Sequence, residues 1–169
     1  MRIRSLLPLI ALLISAPQAF AQNAAITEAR ITWFGIYTVA KSSAIGAEQG
    51  PVVKQGGIIP PTTNSDQIVL GRGIRFGFGY MLTGSSGNGR VQAYFWYPPP
   101  GVFDPRFGNT VKAFAQMTEC EIGASDCLVG FAVDDPKELP TGAWKFQVYD
   151  HTSTKLLAEK IFTVRLRAP

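Results

Sequence analysis

Short runs of alternating apolar and polar residues, each closed by glycine or proline, constrain this chain more than any other feature. The 17 glycines and 12 prolines separate segments rich in aromatic and β-branched residues, which is the punctuation of an antiparallel β protein. The clearest run is Gly73 to Leu82. Ile74, Phe76, Phe78, Tyr80 and Leu82 share one face, while Arg75, Gly77, Gly79 and Met81 take the other. Its glycines leave the second face flat, open to close approach by another strand or side chain.

The same reading places a first strand at Ile26 to Val39, with Ile31, Trp33 and Tyr37 opposite Phe34 and Ile36. Lys41 to Asp66 is polar and broken, with room for one short strand between Val52 and Ile59. Asn88-Gly89 predicts a hairpin joining Gly73–Leu82 to Arg90–Tyr97. Pro98-Pro99-Pro100 ends that ladder for want of an N–H, and Gly101 to Asn109 follows as an irregular loop. Thr110–Cys120 and Cys127–Val133 read as a second hairpin about the loop Glu121 to Asp126. A strand after Gly142 alternates Trp144, Phe146 and Val148 with Lys145 and Gln147, Asp150 to Thr154 turns the chain, and Leu156 to Leu166 forms the last strand. Seven or eight strands at this spacing predict an all-β, antiparallel two-sheet sandwich of immunoglobulin type, with a small β-barrel as the alternative.

The first 21 residues read as a signal peptide. Arg2 and Arg4 precede an apolar run from Leu6 to Ile14, followed by Pro17 and the small-residue site Ala19-Phe20-Ala21. That run is about half the roughly 20 residues needed to span a bilayer. No cysteine near the cleavage site offers a lipid attachment point. The expected product is one periplasmic or secreted domain, residues 22–169, without a stable membrane anchor. The formal charge of +4 falls to +2 when Arg2 and Arg4 leave, so the basic balance does not argue for a nucleic-acid partner.

Cys120 and Cys127 in an oxidising compartment predict a local disulfide, stapling the end of the second hairpin. So short a closure contributes about 2.5 kcal/mol. The spacing matches no common zinc motif, and neither a metal nor a cofactor is expected.

Groups able to carry catalysis are sparse. The lone histidine, His151, lies in a predicted turn beside Asp150, where a base would lack orientation. Ser85-Ser86-Gly87 lacks the spacing of a nucleophile elbow. Asp134, Asp135 and Glu138 cluster in one turn, the ordinary place for solvated carboxylates. Gly71-Arg72-Gly73 precedes a strand rather than the helix a phosphate cradle requires. A hydrolase or metal-dependent enzyme built on His151 and nearby carboxylates is therefore the alternative, and a small-molecule carrier a further one. The expectation is a non-enzymatic binding module contacting a protein or surface polymer.

Binding points to one aromatic cluster. Tyr94, Phe95, Trp96 and Tyr97 are consecutive, so alternation sends two to the core and two to the outside. Tyr94, Trp96 and Tyr97, with Phe103 and Phe107 in the following loop, are the candidate ligand or partner contacts.

Several segments carry a resemblance: Arg75-Phe76-Gly77-Phe78, Trp96-Tyr97-Pro98-Pro99, the stretch Glu138 to Val148, and the closing Leu157 to Val164. Together they resemble a bacterial domain-of-unknown-function family of small exported proteins, over roughly Ile31 to Val164. The Gly-x-Trp-x-Phe strand, its turn and the strand ending Phe-x-Val are also similar to the terminal hairpin of immunoglobulin-like modules in bacterial envelopes. The resemblance implies a β-sandwich and carries over neither a substrate nor catalytic residues.

Overall fold

The computed structural model describes residues 25–40, 49–52, 57–104, 108–125, 127–152 and 154–167. The expected signal segment lies outside them. Among the described residues there are twelve strands: β1 Ile26–Val39, β2 Gly50–Val52, β3 Ile58–Ile59, β4 Gln67–Leu70, β5 Arg75–Gly84, β6 Asn88–Trp96, β7 Val102–Asp104, β8 Asn109–Val111, β9 Ala113–Glu121, β10 Cys127–Ala132, β11 Gly142–Asp150 and β12 Leu156–Leu166. Sheet I runs β2-β10-β5-β1-β3 and sheet II runs β4-β12-β11-β6-β9. A separate ribbon pairs β7 with β8. Both sheets have open ends, so the architecture is a sandwich and not a barrel. Every pairing is antiparallel except β4 with β12.

The long strands are those expected from the alternation, and the additional ones are short. Within Val52 to Ile59 the described residues hold the end of β2 and the short strand β3, which pair at opposite edges of sheet I; residues 53–56 lie outside the described residues. Gly101 to Asn109 is not wholly irregular, since it carries the start of the β7–β8 ribbon.

Alternation fills the space between the sheets. Phe76, Phe78, Tyr80 and Leu82 of β5 meet Val91, Ala93 and Phe95 of β6, Trp144, Phe146 and Val148 of β11, and Phe162 and Val164 of β12. Phe76 sits at the centre, stacked on Phe146 at 5.6 Å and edge-on to Trp144 at 5.6 Å. The Trp144 indole N–H donates to the Pro140 carbonyl at 2.9 Å, satisfying the polar end of a wholly buried ring. Full burial of each such side chain contributes about 1.5–3 kcal/mol.

Two predicted hairpins are arches between sheets. Strand β5 pairs with β1 and β10, whereas β6 pairs with β11 and β9. A hairpin would set the two aromatic faces side by side on one sheet, while the arch buries them against each other. Asn88-Gly89 lies within β6 and is no turn. A Cβ at Gly89 would come within 2.9 Å of Ile26 Cδ1 and Leu82 Cδ1, so this glycine serves packing. Likewise β9 belongs to sheet II and β10 to sheet I, and the Cys120–Cys127 disulfide, with Cα atoms 5.9 Å apart, ties the two sheets rather than one hairpin.

On the outside of sheet I the flat glycine face is occupied. A Cβ at Gly79 would fall on the Trp33 indole, and one at Gly77 on the Val129 carbonyl oxygen of β10. Trp33 packs on Tyr37 with centroids 5.5 Å apart, and Tyr37 and Leu128 are buried there, outside the main core. Trp33 and Tyr37 share this face as expected, but Ile31 does not. A bulge between Ile31 and Trp33 reverses the phase of β1 and turns Ile31 to the core.

Candidate functional site

The outer face of sheet II gathers the candidate residues. On β6 the alternation buries Val91, Ala93, Phe95 and Tyr97 and leaves Gln92, Tyr94 and Trp96 facing outward. Trp96 retains 43% of its surface exposed. Its register partners are Ala113 on β9 and Lys145 on β11, and those of Tyr94 are Ala115 and Gln147. The alanines lower the β9 side, so the two rings rise above it.

A hydrogen-bond chain fixes the platform. The Trp96 indole N–H donates to Gln147 Oε1 at 2.8 Å, and Gln147 Nε2 donates to Glu159 Oε2 at 2.6 Å. Gln147 is buried to 6% exposure, so its amide is a structural brace. With its N–H committed, the indole offers its ring surface. The rings of Tyr94 and Trp96 are 15° from parallel with centroids 6.4 Å apart, and Tyr149 stands edge-on to Tyr94 at 5.4 Å. Lys145 Nζ lies 5.4 Å from the Trp96 ring centroid, within cation–π reach. Gln92, Tyr94, Trp96, Gln147 and Tyr149 border a concavity of about 220 Å³ that continues to the β11–β12 turn.

Of the candidates read from sequence, the structure brings Tyr94 and Trp96 together. Tyr97 turns inward instead, packing edge-on against Trp144 at 4.9 Å and Phe131 at 6.0 Å with 8% of its surface exposed. Phe103 is 56% exposed on the β7–β8 ribbon. With Tyr97 and Phe114 it borders a second concavity, of about 250 Å³, between the ribbon and the sandwich. Phe107 lies outside the described residues. Tyr149, Gln92 and Gln147 were not singled out. The alternation of β11 carries the signal for Tyr149, but only the β6–β11 register shows that it meets Tyr94.

The residues weighed for catalysis have local roles. Asp150 accepts from the Thr152 N–H and hydroxyl at 2.9 and 2.8 Å, and His151 is exposed in that turn. Asp134 pairs with Arg72 at 3.2 Å, both side chains being largely exposed. Asp135 caps the short 3-10 turn Pro136–Glu138 by accepting from the Lys137 N–H. Among the described residues no cluster of three His, Cys, Asp or Glu side chains is placed to hold a metal ion, and no helix is long and apolar enough to cross a membrane.

A crystal structure described as an immunoglobulin-like protein from Pseudomonas aeruginosa superposes with a TM-score of 0.57 at 23% identity, over 82% of this chain and 98% of that one. The likeness shows an immunoglobulin-like fold. No curated protein sequence matches the chain. Residues 26–164 match the family model described as domain of unknown function DUF3859, and the chain belongs to that family.

Proposed function

We propose that this protein is a non-enzymatic binding module of the bacterial envelope that holds a surface polymer on the outer face of sheet II. The observation carrying this reading is the braced Trp96 indole, exposed beside a near-parallel Tyr94 and edged by Tyr149. An exposed tryptophan held by a buried amide has little rotamer freedom left to lose on binding, which favours affinity. Its ring face suits the C–H face of a saccharide ring, with Gln92 and the tyrosine hydroxyls available at the border for polar groups. The disulfide supports an oxidising compartment, periplasmic or extracellular.

Titrating the purified protein with solubilised peptidoglycan fragments and with envelope polysaccharide, read by tryptophan fluorescence and calorimetry, tests the reading. The double variant Tyr94→Ala/Trp96→Ala is expected to weaken binding at least tenfold, about 1.4 kcal/mol. Unchanged binding by that variant would refute the site. Binding of an envelope protein through the same rings, with none to polysaccharide, would keep the site and overturn the ligand class.

A further inference from the structure

Sheet II ends in an unusual edge. Among the described residues three of the four sheet edges are short: β2 has three residues including Pro51, β3 has two and β4 has four. The fourth, β9, has nine residues and pairs with β6 along its whole length without a bulge. Short strands, prolines, bulges and charged side chains are the usual protections against edge-to-edge pairing, and of these β9 has only the charges of Glu119 and Glu121 at its end.

Two hydrogen bonds fix which backbone groups of β9 face outward. The Tyr97 N–H donates to the Lys112 carbonyl, and the Ile122 N–H to the Gly87 carbonyl. Both extend the register that sets Trp96 opposite Ala113. Bonded and non-bonded pairs alternate along an antiparallel ladder. Phe114, Gln116 and Thr118 therefore turn their N–H and C=O groups toward β6, and Ala113, Ala115, Met117 and Glu119 turn theirs to the open side. Among the described residues these outward groups meet no neighbouring strand.

We propose that β9 is a dimerisation strand on which a second copy of this chain adds its own β9, antiparallel, fusing two sheets II into one. The strand is self-complementary in that direction. Only outward residues can face one another as bonded pairs, and centring the two-fold axis on Met117 sets Ala115 opposite Glu119 and Ala113 opposite Glu121. The acids of one copy meet alanines of the other, whereas parallel, in-register addition would align each acid with its own copy. Met117, 54% exposed, meets its counterpart and is covered. The contact is isologous and closes at two subunits.

The axis is normal to the sheet, so both outer faces lie on the same side of the dimer. The two β6 strands are then three strand spacings apart, about 14 Å. Two Tyr94–Trp96 pairs would thus face one extended ligand, with the gain in avidity that two linked sites confer. Dimerisation itself does not depend on the ligand reading.

Sedimentation velocity of the full chain, with Ala115→Pro as the variant, tests the proposal. The Ala115 N–H points away from β6, so proline there leaves the host ladder intact and blocks the added strand. The wild type should be a dimer at about 100 μM and dissociate on dilution, while Ala115→Pro stays monomeric with an unchanged circular dichroism spectrum. Should that variant misfold, Met117→Cys decides: oxidation should link two copies through residue 117, and Thr163→Cys, exposed on β12, should not link. A wild type that is monomeric at this concentration, a dimer that a folded Ala115→Pro leaves intact, or equal cross-linking of the two cysteine variants would each overturn the proposal.

Discussion

Replacing Gly77 with alanine is the sharpest test of how sheet I is built. Gly77 lies opposite Gly130 in the β5–β10 ladder. A Cβ there would fall on the Val129 carbonyl oxygen and within 2.5 Å of the Gly130 Cα, so both obstacles are main chain and neither can rotate away. Overpacking a fixed site costs about 1–3 kcal/mol, and the rigidity of this one points to about 3. Replacing glycine within a strand returns about 0.5–1 kcal/mol of backbone entropy. The net loss is about 2 kcal/mol, and at about 2–4 °C per kcal/mol for a domain of this size the thermal midpoint should fall by about 4–8 °C. Gly71→Ala is the control. Its nearest neighbour would be Ile74 Cγ2 at 3.8 Å, and the change should be neutral or stabilise by up to about 1 kcal/mol. Gly79→Ala falls between, because the obstacle is the Trp33 side chain, which can swing outward and shift its emission to the red. Calorimetric melts of the three variants decide the matter. A Gly77→Ala protein as stable as Gly71→Ala would refute the close β5–β10 approach.

Cys120→Ala/Cys127→Ala should lower stability by about 2.5 kcal/mol, read as an earlier urea midpoint with the spectrum of the folded state retained. Trp96→Phe removes the donor to buried Gln147 and should cost about 1–2 kcal/mol, whereas Tyr94→Phe should leave the melting curve unchanged. Burial raises the Tyr37 and Tyr80 phenols well above their ordinary value of 10.0, with the charge of Arg75 opposing the effect at Tyr37. The unfolded chain therefore releases these protons first, and stability should hold up to about pH 10 and fall above it. Absorbance at alkaline pH should show Tyr37 and Tyr80 ionising only as the circular dichroism signal is lost, and their ionisation in the still-folded protein would count against their burial.

The long strands were legible because each has one face of large apolar residues. The partners of those strands were not. Ser85 to Gly89 looks the same whether β5 and β6 form a hairpin or an arch, since either connection needs glycine and small polar residues. What separates them is the packing of Gly89 against Ile26 and Leu82, and the Ile26 contact is distant in sequence. The bulge in β1 was hidden for the same reason. Strict alternation groups Ile31 with Trp33, and only the register with Tyr80 and Gly79 shows the slip. Strand β4 escaped notice because four residues carry too little pattern, and its parallel seat beside β12 depends on tertiary contacts. At the site, alternation alone separates Tyr94 and Trp96 from Phe95. It does not show that Tyr149 and the Gln147 brace meet those rings, because they reach the site across a strand boundary.

The two outer faces differ in a way that bears on the proposed ligand surface, although both carry aromatic rings. On sheet I, glycines at 79 and 130 remove the side chains beneath, so Trp33 and Tyr37 lie down on the sheet. Tyr37 is 2% exposed and serves as a small second core. On sheet II, Tyr94 and Trp96 have alanines on one side and Gln147 and Lys145 on the other. Nothing lets them lie flat, and the Gln147–Glu159 chain holds the indole in place. The brace satisfies the buried Gln147 amide and so contributes to the stability of the free protein, and on the proposed reading it also leaves the ring ordered before a ligand arrives. The same face reaches the β9 edge through Ala113, Ala115 and Met117. A site built there is extended, without new residues, by whatever pairs with that strand.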